Sequence, residues 1–513
     1  MGFTTLDYIV VVFYLATVAV FGILSAGKQR TTQDYFLGGR DMPWWAVLFS
    51  VVATETSTLT FISIPAVAYG SNLMFLQLTF GYIIGRVIVA VWFLPAYFKG
   101  ELSTAYEYLS QRFGGGMRSA ASYTFIVTRV LADGVRLFAT AIPLAIILRL
   151  AGAFPEWTDI QIYALAISVI AVITLFYTFL GGIKAVIWMD VVQMMVYVGG
   201  ALFAAILILG QMPVSGPEAW ELLSSDGKLN MINWGAGMSW RDALADPYLF
   251  WVAVFGGAIF SVASHGTDQL IIQRLLSTRN LRDSQKAMVW SGIVACLQFA
   301  FFLGIGMLLY IYYQGLSPAE LNLQTTDEIF AKFIVEQIPP GIAGLIIAAL
   351  IAAAMSSLSS SLSALASATT FDLLKPKFGS EWSQAHELRT SRWTTIFWGV
   401  ILTASAFFFT WLQLTGDERP AIVELGLGIA SYTYGGLLGV FLLGLIFSKP
   451  DKTDAMIGFF AGLISLLFMV EGPIQNLLPG DGLAIAWPLY TLAGSMIVIL
   501  AANLSWGIRK KAP

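Results

Sequence analysis

Long apolar runs separated by short polar breaks fill almost the whole chain. Runs of spanning length fall at about 7–26, 43–70, 72–98, 118–150, 159–180, 186–210, 245–273, 287–313, 339–371, 394–414, 420–447, 454–470 and 484–506. An α-helix needs about 20 such residues to cross a bilayer. Only helices and closed barrels satisfy their backbones in lipid, and barrel strands are far shorter. The pattern therefore predicts an all-α integral membrane protein of about thirteen transmembrane helices. The first run has no basic residue before it and no small-residue cleavage site after it, so it reads as a retained helix, not a signal peptide.

Composition agrees. Of 513 residues, 57% are hydrophobic and only 12% charged, and mean hydropathy is +0.76; soluble domains carry about 25% charged residues. A net charge of −3 without a basic run gives no sign of nucleic-acid binding. The lone Cys296 excludes an internal disulfide framework, and His265 and His386 are too few for a histidine-ligated metal centre. No G-x-x-x-x-G-K-[ST] motif occurs, which disfavours a nucleotide-driven pump.

Basic residues set the orientation. With the N-terminus outside, alternate loops and helix ends on the cytoplasmic side hold 20 of the 28 basic residues, from Lys28 to Lys511. The outside holds only Arg149, Lys228, Arg241, Lys332 and Arg419, and Arg86, Arg129 and Arg136 lie within spans. The positive-inside rule then puts the N-terminus out and the C-terminus in. Two external loops are long, 211–244 and 314–338, and the second has the pattern of a short helix.

The most informative stretch is "AAAMSSLSSSLSALASATT", 352–370, which places seven serines and two threonines in a run otherwise built for lipid. Residues three and four apart share a helix face. One stripe is Ala353, Ser356, Ser357 and Ser360; a second is Ser356, Ser359, Ser360 and Ser363. The bland account is close helix packing on small residues. The chemical account is a set of neutral oxygens suited to a reversibly bound alkali cation. Such a site also needs free carbonyls, hence a broken helix. "SVVATETSTLTFISIPAVAYG", 50–70, offers one, with hydroxyls at 54, 56, 57, 58 and 60 and then Pro65. Five spans later "FGGAIFSVASHGTDQ", 255–269, suggests a second break at Gly256–Gly257. Breaks at corresponding places in two halves mark inverted-repeat transporters. The division expected is 1–42, an extra helix and loop; 43–210, repeat one; 211–244, an external loop; 245–447, repeat two; and 448–513, two more helices and a short tail.

"TTQDYFLGGR" at 31–40, "GGIKAVIWMDVVQ" at 181–193, "GTDQLIIQRLLSTRN" at 266–280 and the serine helix together resemble the sodium:solute symporter family over about residues 5–450. The resemblance implies a LeuT-type five-plus-five inverted repeat. It implies a sodium site, Na2, formed by the carbonyls of Ala53, Thr56 and Ala353 and the hydroxyls of Ser356 and Ser357. Some members have a second site, Na3, matched here by Asp190, Ser356, Ser359 and Ser360. On position alone Asp190 is equally a water-facing carboxylate at a helix end. Ser57, Thr60, Gln77 and Arg136 resemble the carboxylate-binding set of the sialic-acid-transporting members.

Read from the residues, Arg136 within a span is costly and usually purposeful. Its structural alternative is a pair with Asp133 or with Glu55. Glu55 and His265 are further substrate or gating candidates, with a satisfied helix histidine as the plain reading of the latter. Asp268 and Arg274 are expected near the cytoplasmic end, tying helices together. The expectation is a sodium-coupled symporter, not an enzyme, importing a small polar solute that carries a carboxylate, with one or two sodium ions and no organic cofactor. It is expected to work as a monomer in the plasma membrane, or the inner membrane of a Gram-negative bacterium. A sodium/sugar or sodium/vitamin symporter is the nearer alternative, and a membrane sensor on a transporter fold the more distant one.

Overall fold

The computed structural model describes residues 4–25, 29–100, 102–150, 154–323, 325–379, 382–415, 422–469 and 485–511. Lys28, Arg419, the margins of the last three apolar runs and the final two residues lie outside the described residues. Among the described residues, apart from two isolated bridges, the regular structure is helical. The principal helices are α1 (Thr5–Ser25), α2 (Trp44–Glu55), α3 (Thr58–Gly70), α4 (Leu76–Ile88), α5 (Gly115–Leu150), α6 (Asp159–Gly210) and α7 (Gly257–Gly266). They continue with α8 (Gln269–Leu276), α9 (Leu281–Tyr312), α10 (Ile342–Ala368), α11 (Gln384–Thr415), α12 (Ile422–Ile446), α13 (Lys452–Met469) and α14 (Tyr490–Lys511). Among the described residues, seven helical stretches are long and apolar enough to cross a membrane, and the bent pair α2–α3 makes an eighth.

Three chain breaks shape the bundle. Thr56 (ψ 105°) and Ser57 (ψ 176°) are extended, so α2 and α3 meet at 59° where the hydroxyl-rich run suggests a break. The 52 residues of α6 are two membrane lengths, and the chain turns at Gly182 (φ +55°, ψ −159°). A side chain there would meet the Tyr35 carbonyl at 2.5 Å, so glycine serves both the turn and the contact. The break expected at Gly256–Gly257 lies elsewhere. Val252–Gly256 is a widened helical turn that runs straight into α7, and the chain opens at Thr267–Asp268, where the Asp268 carboxylate caps α8 by accepting from Leu270 N–H at 2.9 Å. A Cβ on Gly257 would come within 2.7 Å of the Leu78 carbonyl, so that glycine admits α4 instead of breaking the helix.

The serine helix is the central post. The most apolar 18 residues within Ile342–Phe378 are 83% buried in the protein, against 24% for those of Thr5–Gly22 and 28% for those of Trp487–Lys510. Its N-terminus is capped from outside its own segment: Asp7 Oδ1 accepts from the Gly341 and Gly344 N–H groups at 2.7 and 2.8 Å. The second external loop contains the expected helix, Glu328–Gln337; the first contains two that sequence did not suggest, Gly216–Ser225 and Trp240–Ala245.

Candidate functional site

The broken helix lies against the serine helix on both sides of the break. Thr54 Oγ1 is 3.1 Å from Ser360 Oγ, and Thr58 Oγ1 donates to the Leu350 carbonyl at 3.2 Å. The stretch of α10 from Leu350 to Ser360, which carries Ala353, Ser356 and Ser357, therefore runs alongside the break. With Thr56 and Ser57 extended, the helical ladder stops and the last carbonyls of α2 lose their regular partners. Ser357 donates to the Ala353 carbonyl at 3.3 Å, whereas Ser356 turns away and donates to Asp190 Oδ1 at 2.6 Å. Thr56 Oγ1 accepts from Gln298 at 2.5 Å, which fixes the edge of the break.

Asp190 does not face water; it is fully buried. Its Oδ2 accepts from Ser50 at 2.5 Å and lies 3.3 Å from the Arg274 guanidinium. Arg274 also donates to Ser50 at 2.9 Å and contacts Ser360 Oγ closely, while Ser359 and Ser360 both donate to the Ser356 carbonyl. The residues of the possible second sodium site thus converge, and a buried guanidinium sits among them. Arg274, in the last turn of α8, is an interior counter-charge that ties α8 to α2, α6 and α10.

A cavity of about 160 Å³ opens beside the break. Ser57, Thr60, Glu55, His265 and Arg136 line it, with Phe75, Tyr82, Phe260, Phe299 and Tyr434 as its aromatic walls. Gln77 is not among the lining residues. Its amide donates to the Met74 and Tyr248 carbonyls at 3.0 and 2.9 Å, and its oxygen accepts from Asn233 N–H at 3.2 Å, so it pins the first external loop. The family resemblance marked Gln77, but the loop that holds its amide is more than 150 positions away.

Charge around the cavity is mostly paired. Glu55 is not the partner of Arg136. It contacts the buried Arg86 closely and accepts from His265 Nε2 at 2.9 Å, and His265 Nδ1 is 2.8 Å from Ser264 Oγ. Arg129 pairs with Asp268 at 3.1 Å and with Asp133 at 3.5 Å, and Tyr434 OH donates to Asp268 at 2.6 Å. Asp133 also accepts from Ser361 at 2.6 Å and lies 3.8 Å from Arg136. Arg136 is the loosely held cation, its side chain 27% exposed against 0% for Arg86 and 3% for Arg129. Sequence reasoning noted Arg86 and Arg129 as intramembrane charges but gave them no partners, because both partners lie on other helices or a turn away.

The Glu55–Arg86 pair gives a stability test. Breaking a buried ion pair by removing one member costs about 3–5 kcal/mol, since the other charge stays buried. Glu55→Ala should lower the melting temperature of the purified protein strongly, and Arg86→Met in the same chain should recover part of it. Equal melting of wild type and Glu55→Ala would refute the pairing.

The model of the sodium:solute symporter family matches residues 35–462. The sodium/sialic acid symporter NanT of Aliivibrio fischeri is 28% identical over 511 residues, 98% of this chain and 93% of that one. The sodium-dependent multivitamin transporter of Oryctolagus cuniculus is 29% identical over 496 residues, 94% of this chain and 72% of that one. Among solved structures, a sodium-coupled sialic acid symporter in a substrate-bound outward-open state is 27% identical, covers 99% of both chains and superposes with a TM-score of 0.83. MhsT in complex with L-phenylalanine, 15% identical with a TM-score of 0.55 over 90% of this chain and 97% of that one, shares the fold alone.

Proposed function

The chain belongs to the sodium:solute symporter family, a multi-pass sodium-coupled transporter of LeuT-type fold, and from that premise we propose that it imports a small carboxylate bound by Arg136. The observation that carries this reading is the half-open, weakly paired guanidinium of Arg136 in a cavity whose other cations are buried and matched. A planar fork in a water-poor site suits a bidentate carboxylate. Ser57 and Thr60 would add hydroxyl donors, and the aromatic walls would hold the body of the solute. Relatives named for sialic acid and for monocarboxylates support an acidic solute; the multivitamin transporter keeps a vitamin as the second reading. Glu55 and His265 would shape the pocket between them, and Gln77 would act through the loop it holds. A thermal-shift comparison of carboxylates with their amides, in sodium and in potassium, tests the reading. Acids should stabilise the protein only in sodium, and amides should not; equal shifts would remove Arg136 from recognition.

For the ion, the proposal is that Ala53, Thr56 and Ala353 offer carbonyls and Ser356 and Ser357 hydroxyls. Sodium there would order the break and with it Ser57 and Thr60. A second ion beside Asp190, Ser356, Ser359 and Ser360 would share its carboxylate with Arg274. If it binds, Asp190→Ala should lower the sodium Hill coefficient from above one toward one. A wild-type coefficient of one, with one charge moved per solute, would leave Asp190 the partner of Arg274 alone. Thirteen spans, the outside N-terminus, the repeat boundaries 43–210 and 245–447 and a working monomer complete the proposed arrangement.

A further inference from the structure

At the face where most basic residues gather, several of the described cations have a nearby acceptor. Arg279 pairs with Asp41 at 3.1 Å, Lys375 with Glu387 at 2.8 Å and Arg509 with Asp451 at 2.8 Å. Arg40 donates to the Leu102 carbonyl, and Arg112 donates to the carbonyls of Phe447, Ser448 and Pro450. One cluster departs from this. Arg30, Arg389 and Arg392 line a cavity of about 540 Å³ together with Phe179 and Trp393, and no acidic side chain lines it. None of the three is in an ion pair among the described residues, and Arg392 Nε is buried without a hydrogen-bond partner. Arg392 lies 6.0 Å from the centre of the Phe179 ring, which orients it without neutralising it.

What lies below the arginines identifies the occupant. From Trp393 the lipid-facing stripe of α11 continues through Phe397 and Val400, which are 53% and 61% exposed. From Phe179 the neighbouring stripe of α6 continues through Phe176 and Val172, 49% and 66% exposed. The two helices pack closely, since a Cβ on Gly399 would lie 3.0 Å from Leu175. A three-guanidinium pocket therefore opens at the head of an apolar furrow one helix pair wide.

We infer that this pocket binds the phosphate of an anionic phospholipid whose acyl chains lie in the α6–α11 furrow. Arginine forks match phosphate oxygens, and basic pockets between membrane helices take anionic headgroups. A free phosphate would satisfy the same guanidinium groups but has no use for the furrow. The lipid would brace the elbow at Gly182, three residues beyond Phe179. This inference does not depend on the identity of the solute.

The test is native mass spectrometry of the full-length protein purified from phosphatidylglycerol-containing micelles, with phosphatidylcholine as the neutral arm. Wild type should retain phosphatidylglycerol and not phosphatidylcholine. The variant R30Q/R389Q/R392Q should bind it at least about tenfold more weakly, at roughly 1 kcal/mol per lost charge. A control of equal charge loss elsewhere on the face, K449Q/K452Q/K510Q, should bind as wild type does. Sodium-dependent thermal stabilisation of each variant reports that it folds. Equal loss in both triple variants would overturn the site in favour of general surface charge. Complete displacement of the lipid by millimolar inorganic phosphate would overturn the lipid as occupant.

Discussion

Ser357→Ala is expected to abolish sodium-driven uptake while leaving the protein folded. Its hydroxyl makes one long bond, 3.3 Å to the Ala353 carbonyl, on the stretch of α10 that faces the break at Thr56–Ser57. Unlike Ser356, it is committed to no carboxylate, so its loss disturbs no buried charge. Removing a neutral ligand from a site with few of them should raise the sodium requirement beyond the gradient available. The membrane potential adds about 2.3 kcal/mol per charge per 100 mV to that gradient. Ser357→Thr keeps the oxygen and should retain part of the activity. Uptake is measured against sodium concentration in vesicles, with size-exclusion profile and melting temperature as the folding control. Unchanged sodium dependence in Ser357→Ala would place the ion elsewhere.

Arg136→Ala is expected to weaken solute binding by about tenfold or more. Truncating one partner of a desolvated charge pair costs roughly 2–5 kcal/mol, largely because the other charge is left unmatched. Arg136→Lys should restore only part, since a point charge cannot reproduce the fork. The structural alternative is the Asp133 pair, but at 3.8 Å that contact is weak, and Asp133 keeps Arg129 and Ser361 when Arg136 is removed. Arg136→Ala should therefore melt near wild type while losing affinity. Parallel collapse of Arg136→Ala and Asp133→Ala would favour the structural role, and full-affinity transport of a neutral sugar by Arg136→Ala would end the carboxylate proposal.

Features encoded within one segment were legible in the sequence. The break after Glu55 follows from a run of hydroxyl residues; the convergence of Asp190 with Ser356 and Ser360, which joins distant segments, was implied only by the family resemblance. Features that depend on a distant surface were not. Gly256 and Gly257 look like a break, yet Leu78 on another helix uses the missing side chain of Gly257, and the opening falls at Thr267–Asp268. Glu55 and Arg136 are both charges within spans, but which cation Glu55 takes is decided by how α4 packs beside the break; it takes Arg86. Gln77 reads as a pocket residue until the first external loop is seen to claim its amide. Arg274 follows the same logic, drawn inward by a carboxylate that sequence alone could not distinguish from a water-facing one.

The central claim is sodium-coupled accumulation of a carboxylate, and concentrative uptake by the purified protein in sealed proteoliposomes tests it most directly. With a radiolabelled acid identified by thermal shift, an inward sodium gradient should drive transient accumulation above the external concentration. The overshoot should rise with an inside-negative potential and vanish when potassium replaces sodium. Uptake that only equilibrates, at the same rate in sodium and in potassium, would contradict the account.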